Sequence, residues 1–247
     1  MTFKHADRPI HSPAGCLVVG RGPFWMKELA GKFIVFDGGE GCGKSTQAAW
    51  LKRELEARQP GLTVRLVRDP GTTRIGEQIR SVLLNPDNTD MAMRCEMLLY
   101  MSARAQMMRE VIAPALAAGD VVISDRFISS TLAYQLGGDG LTADEIRAVG
   151  DIAVNHRWPD LTIILDLPVE ISSARVRPKF TLFPDDPAAG AEMDRIELRS
   201  MDYHEQVRQN YLKQALDSQR RYKVIDASRP PEAVHADVMH AVESLAA

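Results

Sequence analysis

The sequence has 247 residues, of which 45% are hydrophobic and 26% charged, as in an ordinary globular protein with one α/β domain. A net charge of −3 leaves no general basic surface for nucleic acid, and the three cysteines lack metal or disulfide spacing. No apolar run approaches the roughly 20 residues of a membrane span. The N-terminal apolar run at 16–19 is too short for a signal-peptide core, so we expect a cytoplasmic protein.

Residues 1–31 are rich in turn formers and lack periodicity, so we expect a poorly ordered extension before a domain at 32–247. Within the domain, short apolar runs predict strands and period-3.6 patterns predict helices. The strands are expected at 33–36, 63–67, 121–124, 161–165 and 223–225. The helices are expected at 45–55, 75–84, 94–118 with a kink near Pro114, after Arg126 to about 135, and at 142–156, 169–177, 194–221 and 231–245.

Strands that alternate with helices predict a mostly parallel five-stranded sheet with helices on both faces, which is a three-layer α/β sandwich. The first strand leads into Gly38-x-x-x-x-Gly43-Lys44-Ser45, the complete phosphate-loop pattern, and a helix follows. The alternative is a glycine-rich turn that binds nothing, but strand, loop and helix together favour a nucleoside triphosphate site. The residues expected to contact the nucleotide are Gly38, Gly39, Glu40, Gly41, Cys42, Gly43, Lys44, Ser45 and Thr46.

Within this loop, Lys44 is expected to reach the β- and γ-phosphates and Ser45 to hold Mg²⁺. A magnesium–triphosphate site also needs a carboxylate just past an apolar strand. Asp125 and Asp166 both fit by position, and either could instead be a helix N-cap. Arg126, beside Asp125, adds a group for phosphate.

Two helical faces predict an acceptor pocket. Tyr100 and Arg104 are four residues apart and share one face, where a ring and a guanidinium could hold a base. Thr131, Tyr134 and Gln135 share another face, with groups suited to a base edge and a sugar. The alternative for both is a surface stripe with one core tyrosine. Basic residues at about 175–199 predict a lid over the transferring phosphates, although an ordinary solvated loop would look similar.

With these residues in view, the chain resembles the thymidylate kinases, within the P-loop nucleoside monophosphate kinases. The resemblance covers roughly residues 32–245. Its motifs are FDGGEGCGKST, RDPGTT followed by Ile79-Arg80, CEMLLYMSARAQ, SDRFISSTLAYQ, PDLTIILDLP, MDRIE and VIDAS. Three features depart from the usual family pattern, namely Asp69 in place of glutamate, Gly39 in place of a larger apolar residue, and an insertion in the lid.

The resemblance implies phosphorylation of thymidine monophosphate (dTMP) to the diphosphate by Mg²⁺·ATP, in a homodimer, with an adenine pocket near residues 226–228. Arg80 and Arg126 would hold the acceptor phosphate, Tyr100 would stack on thymine, and Arg104 would bond its exocyclic oxygen. Tyr134 would crowd the 2′ position of the sugar. The full set of implied substrate-binding residues is Glu40, Arg80, Tyr100, Arg104, Arg126, Ser130, Thr131, Tyr134 and Gln135.

The resemblance also implies catalytic cations and metal ligands. Lys44 and Arg126 would act in catalysis, joined by a lid arginine from among Arg175, Arg177 and Arg195, with Arg177 and Arg195 preferred. Ser45, Asp125 and Glu40 would be the residues near Mg²⁺. Two alternatives remain at this point, a kinase of the same class that acts on another nucleotide or nucleoside, and a nucleotide-dependent switch without a small-molecule acceptor.

Overall fold

Five parallel strands form the central sheet of the computed structural model, which describes residues 28–176, 195–218 and 221–245. The strands are β1 (Phe33–Asp37), β2 (Val64–Arg68), β3 (Val121–Asp125), β4 (Leu161–Asp166) and β5 (Tyr222–Asp226). Their spatial order is β2-β3-β1-β4-β5, and each neighbouring pair is parallel. The predicted α/β class and five-stranded sheet are confirmed.

Nine α-helices connect and cover the strands in the described part of the chain. They are α1 (Lys44–Arg58), α2 (Arg74–Leu84), α3 (Met93–Met107), α4 (Ala113–Ala117), α5 (Ile128–Tyr134), α6 (Ala143–Val154), α7 (Val169–Val176), α8 (Met201–Asp217) and α9 (Pro231–Leu245). No helix in these ranges is long and apolar enough to cross a bilayer.

Strand β1 is buried on both faces and therefore places the phosphate loop at the centre of the sheet. Ile34 and Phe36 pack into one core with α1 and α9, while Phe33 and Val35 pack into a second core with α3, α5 and α6. This is the three-layer arrangement expected of a parallel sheet. Leu29 is also fully buried in the first core, so the folded unit already includes a residue of the expected extension.

The long helix predicted at 94–118 is interrupted as expected near Pro114. It consists of α3, a π-helical turn at Met108–Ile112, and α4 with Pro114 in its first turn. Proline has no backbone N–H and crowds the preceding turn, so the chain widens just before it.

The helix predicted at 194–221 was too long, because α8 spans only Met201–Asp217. Ser200 is the N-cap of α8, because its hydroxyl accepts a hydrogen bond from the Tyr203 N–H at 3.3 Å. The helix therefore begins at residue 201 and not at residue 194. Similarly, α6 ends before the predicted 156 because Asn155 and His156 adopt positive φ angles of 48° and 61°. The predicted loop at 179–191 lies outside the described residues.

Helix α6 provides a test of the local folding signals, because its N-terminus carries a complete capping box. The Thr142 hydroxyl accepts from the Glu145 N–H at 3.2 Å, and the Glu145 carboxylate accepts from the Thr142 N–H at 2.8 Å. We expect Thr142→Ala to lower the free energy of unfolding by about 1 kcal/mol, measured by urea denaturation. Thr142→Ser should retain most of that stability; an equal loss in both variants would contradict the capping role.

Candidate active site

The phosphate loop connects β1 to α1 and depends on glycine where the backbone is most constrained. Gly38 has a φ of 132°, and a Cβ atom there would lie 2.4 Å from the Leu165 carbonyl oxygen on β4. Gly43 has a φ of 95° and immediately precedes α1. A side chain at Gly38 would push the loop off the sheet, whereas glycine lets the backbone turn toward the N-terminus of α1.

Lys44 is the positive charge of this loop. Its Nζ donates to the carbonyl oxygens of Gly39 at 2.7 Å and Gly38 at 3.4 Å, and its side chain is largely buried. Cys42 lies beside it, with Sγ 3.6 Å from Nζ. Burial raises the pKa of the Cys42 thiol, although Lys44 opposes this, so Cys42 fills space in the loop rather than acting as a nucleophile.

The structure brings Asp125, and not Asp166, to the hydroxyl of the phosphate loop. Ser45 Oγ donates to Asp125 Oδ2 at 2.6 Å. Asp166, in contrast, accepts from Arg208 with both carboxylate oxygens, at 2.7 and 2.9 Å. A hydroxyl and a carboxylate side by side are the hard oxygen ligands that Mg²⁺ takes together with phosphates, so the pair fits a magnesium ion.

Arg126 follows Asp125 and has a φ of 70°, an unusual conformation for a residue with a side chain. This conformation directs its guanidinium back across the phosphate loop. Nη2 forms an ion pair with Glu40 and lies 3.3 Å from the Tyr134 hydroxyl. Nη1 lies within hydrogen-bonding distance of three further acceptors, which are the Gly38 carbonyl at 3.2 Å, Ser130 Oγ at 3.1 Å and Tyr211 Oη at 3.2 Å.

Asp37 and Tyr211 also contact the Arg126 guanidinium, and neither was predicted as a site residue. Asp37 is completely buried and accepts from Ser129, from Ser130 Oγ at 2.5 Å and from Tyr211 Oη at 2.8 Å. Its carboxylate lies 3.8 Å from Arg126 Nη1. Asp37 belongs to the loop motif and could have been noticed there, whereas Tyr211 lies on α8 with no local pattern that marks it.

Glu40 was predicted to lie near the metal and the acceptor sugar. Its carboxylate contacts Arg126 and accepts from the Tyr134 hydroxyl at 3.3 Å, rather than meeting Ser45 and Asp125. Burial opposes its ionisation, but Arg126 and Lys44 together lower the pKa of Glu40 to about 2. At neutral pH, Glu40 is therefore an anion that fixes the guanidinium.

One cavity of about 480 Å³ joins the phosphate loop to the predicted acceptor residues. The predicted residues on its wall are Glu40, Arg80, Tyr100, Arg104, Arg126, Ser130, Thr131, Tyr134 and Gln135. Residues that were not predicted to bind substrate also line it, and these include Arg68, Asp69, Pro70, Leu84 and Ile196. The two helical faces therefore do converge on one site.

Arg104 lies in the wall of this cavity, where it is almost fully buried and has several polar partners. Its Nε donates to Asp69 Oδ2 at 2.6 Å, Nη1 donates to Thr131 Oγ1 at 3.3 Å, and Nη2 donates to the Phe127 carbonyl at 3.2 Å. Burial raises the pKa of Asp69, although Arg104 opposes this. Asp69 Oδ1 is buried without a hydrogen-bond partner among the described residues.

The candidate lid arginines are placed differently from one another. Arg175 Nη1 lies at the phosphate loop, 3.4 Å from the Gly41 carbonyl and 3.3 Å from the Ala227 carbonyl. Arg195 is instead 8% exposed and bound to Glu96 on α3 and to the Leu83 carbonyl at 3.0 Å. Arg177 lies outside the described residues.

These features define a P-loop nucleotide-binding protein with a second, arginine-lined half to its site. The family model described as thymidylate kinase matches residues 36–238. A thymidylate kinase of Alcanivorax borkumensis is 40% identical over 89% of this chain and 99% of its own length, and one of Trichlorobacter lovleyi is 42% identical over 86% and 97%. The chain belongs to the thymidylate kinase family.

A solved structure agrees with this assignment. The crystal structure of thymidylate kinase from Ehrlichia chaffeensis superposes with a TM-score of 0.65 at 27% identity, and the match covers 85% of this chain and 97% of that one. The likeness therefore extends through nearly the whole of that enzyme.

The low pKa of Glu40 predicts a specific acid sensitivity. Because the folded-state pKa of about 2 lies below the ordinary 4.5, ionised Glu40 stabilises the fold above pH 4.5, and this contribution is lost as the pH falls toward 2. The full contribution is on the order of 3 kcal/mol. We expect the free energy of unfolding of wild type to fall more steeply below pH 4.5 than that of Glu40→Gln, measured by urea denaturation at each pH. Parallel pH profiles would contradict the ion pair.

Proposed function

We propose that this protein transfers the γ-phosphoryl group of Mg²⁺·ATP to dTMP, giving dTDP and ADP for the synthesis of dTTP. The observation that carries the proposal is the single cavity that joins Lys44 and Ser45 to the base-, sugar- and phosphate-binding residues expected for dTMP. Membership of the thymidylate kinase family supports the same substrate.

The donor half of the site supports binding of Mg²⁺·ATP. Lys44 would contact the β- and γ-phosphates, while Ser45 and Asp125 would hold Mg²⁺, which neutralises charge on the transferring group when bound. Arg175 contacts both the Gly41 and the Ala227 carbonyls. It thus connects the phosphate loop to residues 226–228, where adenine is expected.

The acceptor half supports binding of a thymidine monophosphate. Arg80 donates to the Pro70 carbonyl at 3.0 Å, and together with Arg126 it would hold the acceptor phosphate. Tyr100 would stack on the base, and Arg104, Thr131 and Gln135 would read its edge. The Tyr134 hydroxyl lies 3.3 Å from both Glu40 and Arg126, where it would crowd a 2′-hydroxyl and disfavour ribonucleotides.

The chemistry requires positioning and charge neutralisation more than proton transfer. The attacking oxygen belongs to the acceptor phosphate and is already anionic, so an in-line attack on the γ-phosphorus needs no general base. Lys44 and Arg126 would stabilise the charge on the transferring group. Among the described lid candidates, Arg175 already lies at the phosphate loop, whereas Arg195 would have to leave Glu96 to act there.

We also propose a homodimer, as the family resemblance implies. The exposed apolar side chains on α2 and α3 support it, because Val82 is 45% and Leu98 is 51% exposed, and a second copy of the chain could cover them. The cytoplasmic location stays a prediction.

The proposed function is tested by ADP release from Mg²⁺·ATP with a panel of acceptors, namely dTMP, dUMP, UMP, dCMP, CMP, dGMP and AMP. We expect strong stimulation by dTMP, weaker stimulation by dUMP and little by UMP, because Tyr134 disfavours the ribose. The matched control is Lys44→Ala, which should remain folded and lose turnover by several orders of magnitude.

Stimulation by a different monophosphate would retain the reaction but contradict the base-reading residues. Slow ATP hydrolysis that no monophosphate stimulates would contradict the proposed function and support a nucleotide-dependent switch. Near-normal turnover in Lys44→Ala would contradict the role of the phosphate loop.

A further inference from the structure

Glu96 on α3 connects the cavity-lining residue Gln135 to two arginines of the predicted lid segment. It is completely buried. Its Oε2 binds Arg195 and lies 2.7 Å from Arg199 Nη2. Its Oε1 accepts from Gln135 Nε2 at 2.7 Å. One carboxylate oxygen of Glu96 therefore binds the two arginines, and the other accepts a hydrogen bond from Gln135.

This contact determines which end of the Gln135 amide faces the cavity. A carboxylate held by two guanidinium groups only accepts hydrogen bonds, so the amide must present its NH₂ group to Glu96. The carbonyl Oε1 of Gln135 is then left for the cavity, which this residue lines. Within the described ranges, Oε1 accepts no hydrogen bond from the protein. The cavity wall thus carries a hydrogen-bond acceptor of fixed orientation.

A fixed acceptor at this position distinguishes pyrimidines. Position 3 of thymine or uracil is an N–H donor, whereas position 3 of cytosine is a bare acceptor that would face Oε1 with its lone pair. We propose that Glu96 is a positioning residue that sets the preference for thymine over cytosine by fixing the orientation of the Gln135 amide. The inference rests on the proposed function, since it concerns the acceptor site of that reaction.

The substitution Glu96→Gln tests this directly, because it should reverse the Gln135 amide rather than merely loosen it. The two arginines would keep the carbonyl end of the new amide, so its NH₂ group would face Gln135. Gln135 would then present Nε2 to the cavity, a donor that suits cytosine and opposes thymine. We expect the ratio of kcat/KM for dTMP to kcat/KM for dCMP to fall at least roughly tenfold, mainly through the KM values.

The matched control is Arg199→Met. It removes one ion pair from the same cluster but leaves Glu96 facing Gln135, so the dTMP-to-dCMP ratio should stay within about twofold of wild type. An unchanged ratio in Glu96→Gln would overturn the proposal. An equal fall in both variants would also overturn it, because Glu96 would then act through the ion pairs and not through the amide.

A measurement on the wild-type protein covers the case in which Glu96→Gln does not fold. Bonded to a buried carboxylate, a side-chain amide proton of Gln135 should exchange slowly with solvent by NMR, both before and after addition of dTMP. Rapid exchange in both states would overturn the proposal. If wild type is not stimulated by dTMP at all, the proposed function fails instead, and slow exchange would still show the fixed amide.

Discussion

The site depends on the position of one guanidinium, that of Arg126. Its partners come from four parts of the chain: the end of β1, the phosphate loop, α5 and α8. Strand β1 pairs with β3 so that Phe36 lies opposite Asp125 and the Arg126 N–H donates to the Phe36 carbonyl at 2.8 Å. This backbone pairing places the arginine in the cavity wall beside the phosphate loop.

Burial of so many charges requires that each be compensated. The Asp37 carboxylate is fully buried and would be costly without its hydroxyl donors and the nearby arginine. Glu40 is the second carboxylate that forms an ion pair with the Arg126 guanidinium. An anionic acceptor phosphate would take the place of one of these partners, on a guanidinium whose position the remaining contacts already fix.

Local patterns predicted the parts of the fold that local forces determine. The apolar run of β1, the glycines and the period of α1 lie within 26 residues, and the structure confirms all three. The convergence of Tyr100, Arg104 and Gln135 on one cavity was also predicted. Residues three or four positions apart lie on the same face of a helix, so each helix was expected to present its polar residues together.

What sequence reasoning missed lies in contacts between distant elements. The contact of Tyr211 with Asp37 joins residues 174 positions apart. The predicted helix at 194–221 followed a charge pattern that continues through Arg195 and Arg199, yet both side chains bind Glu96 before the helix begins.

The most direct test of this account compares the binding of dTMP and thymidine by calorimetry, in wild type and in Arg126→Met. If Arg126 holds the acceptor phosphate, wild type should bind dTMP at least roughly tenfold more tightly than thymidine. The substitution should remove most of that difference and leave the affinity for thymidine nearly unchanged. Unchanged dTMP affinity in Arg126→Met, or an equal loss for both ligands, would contradict the central role of this guanidinium.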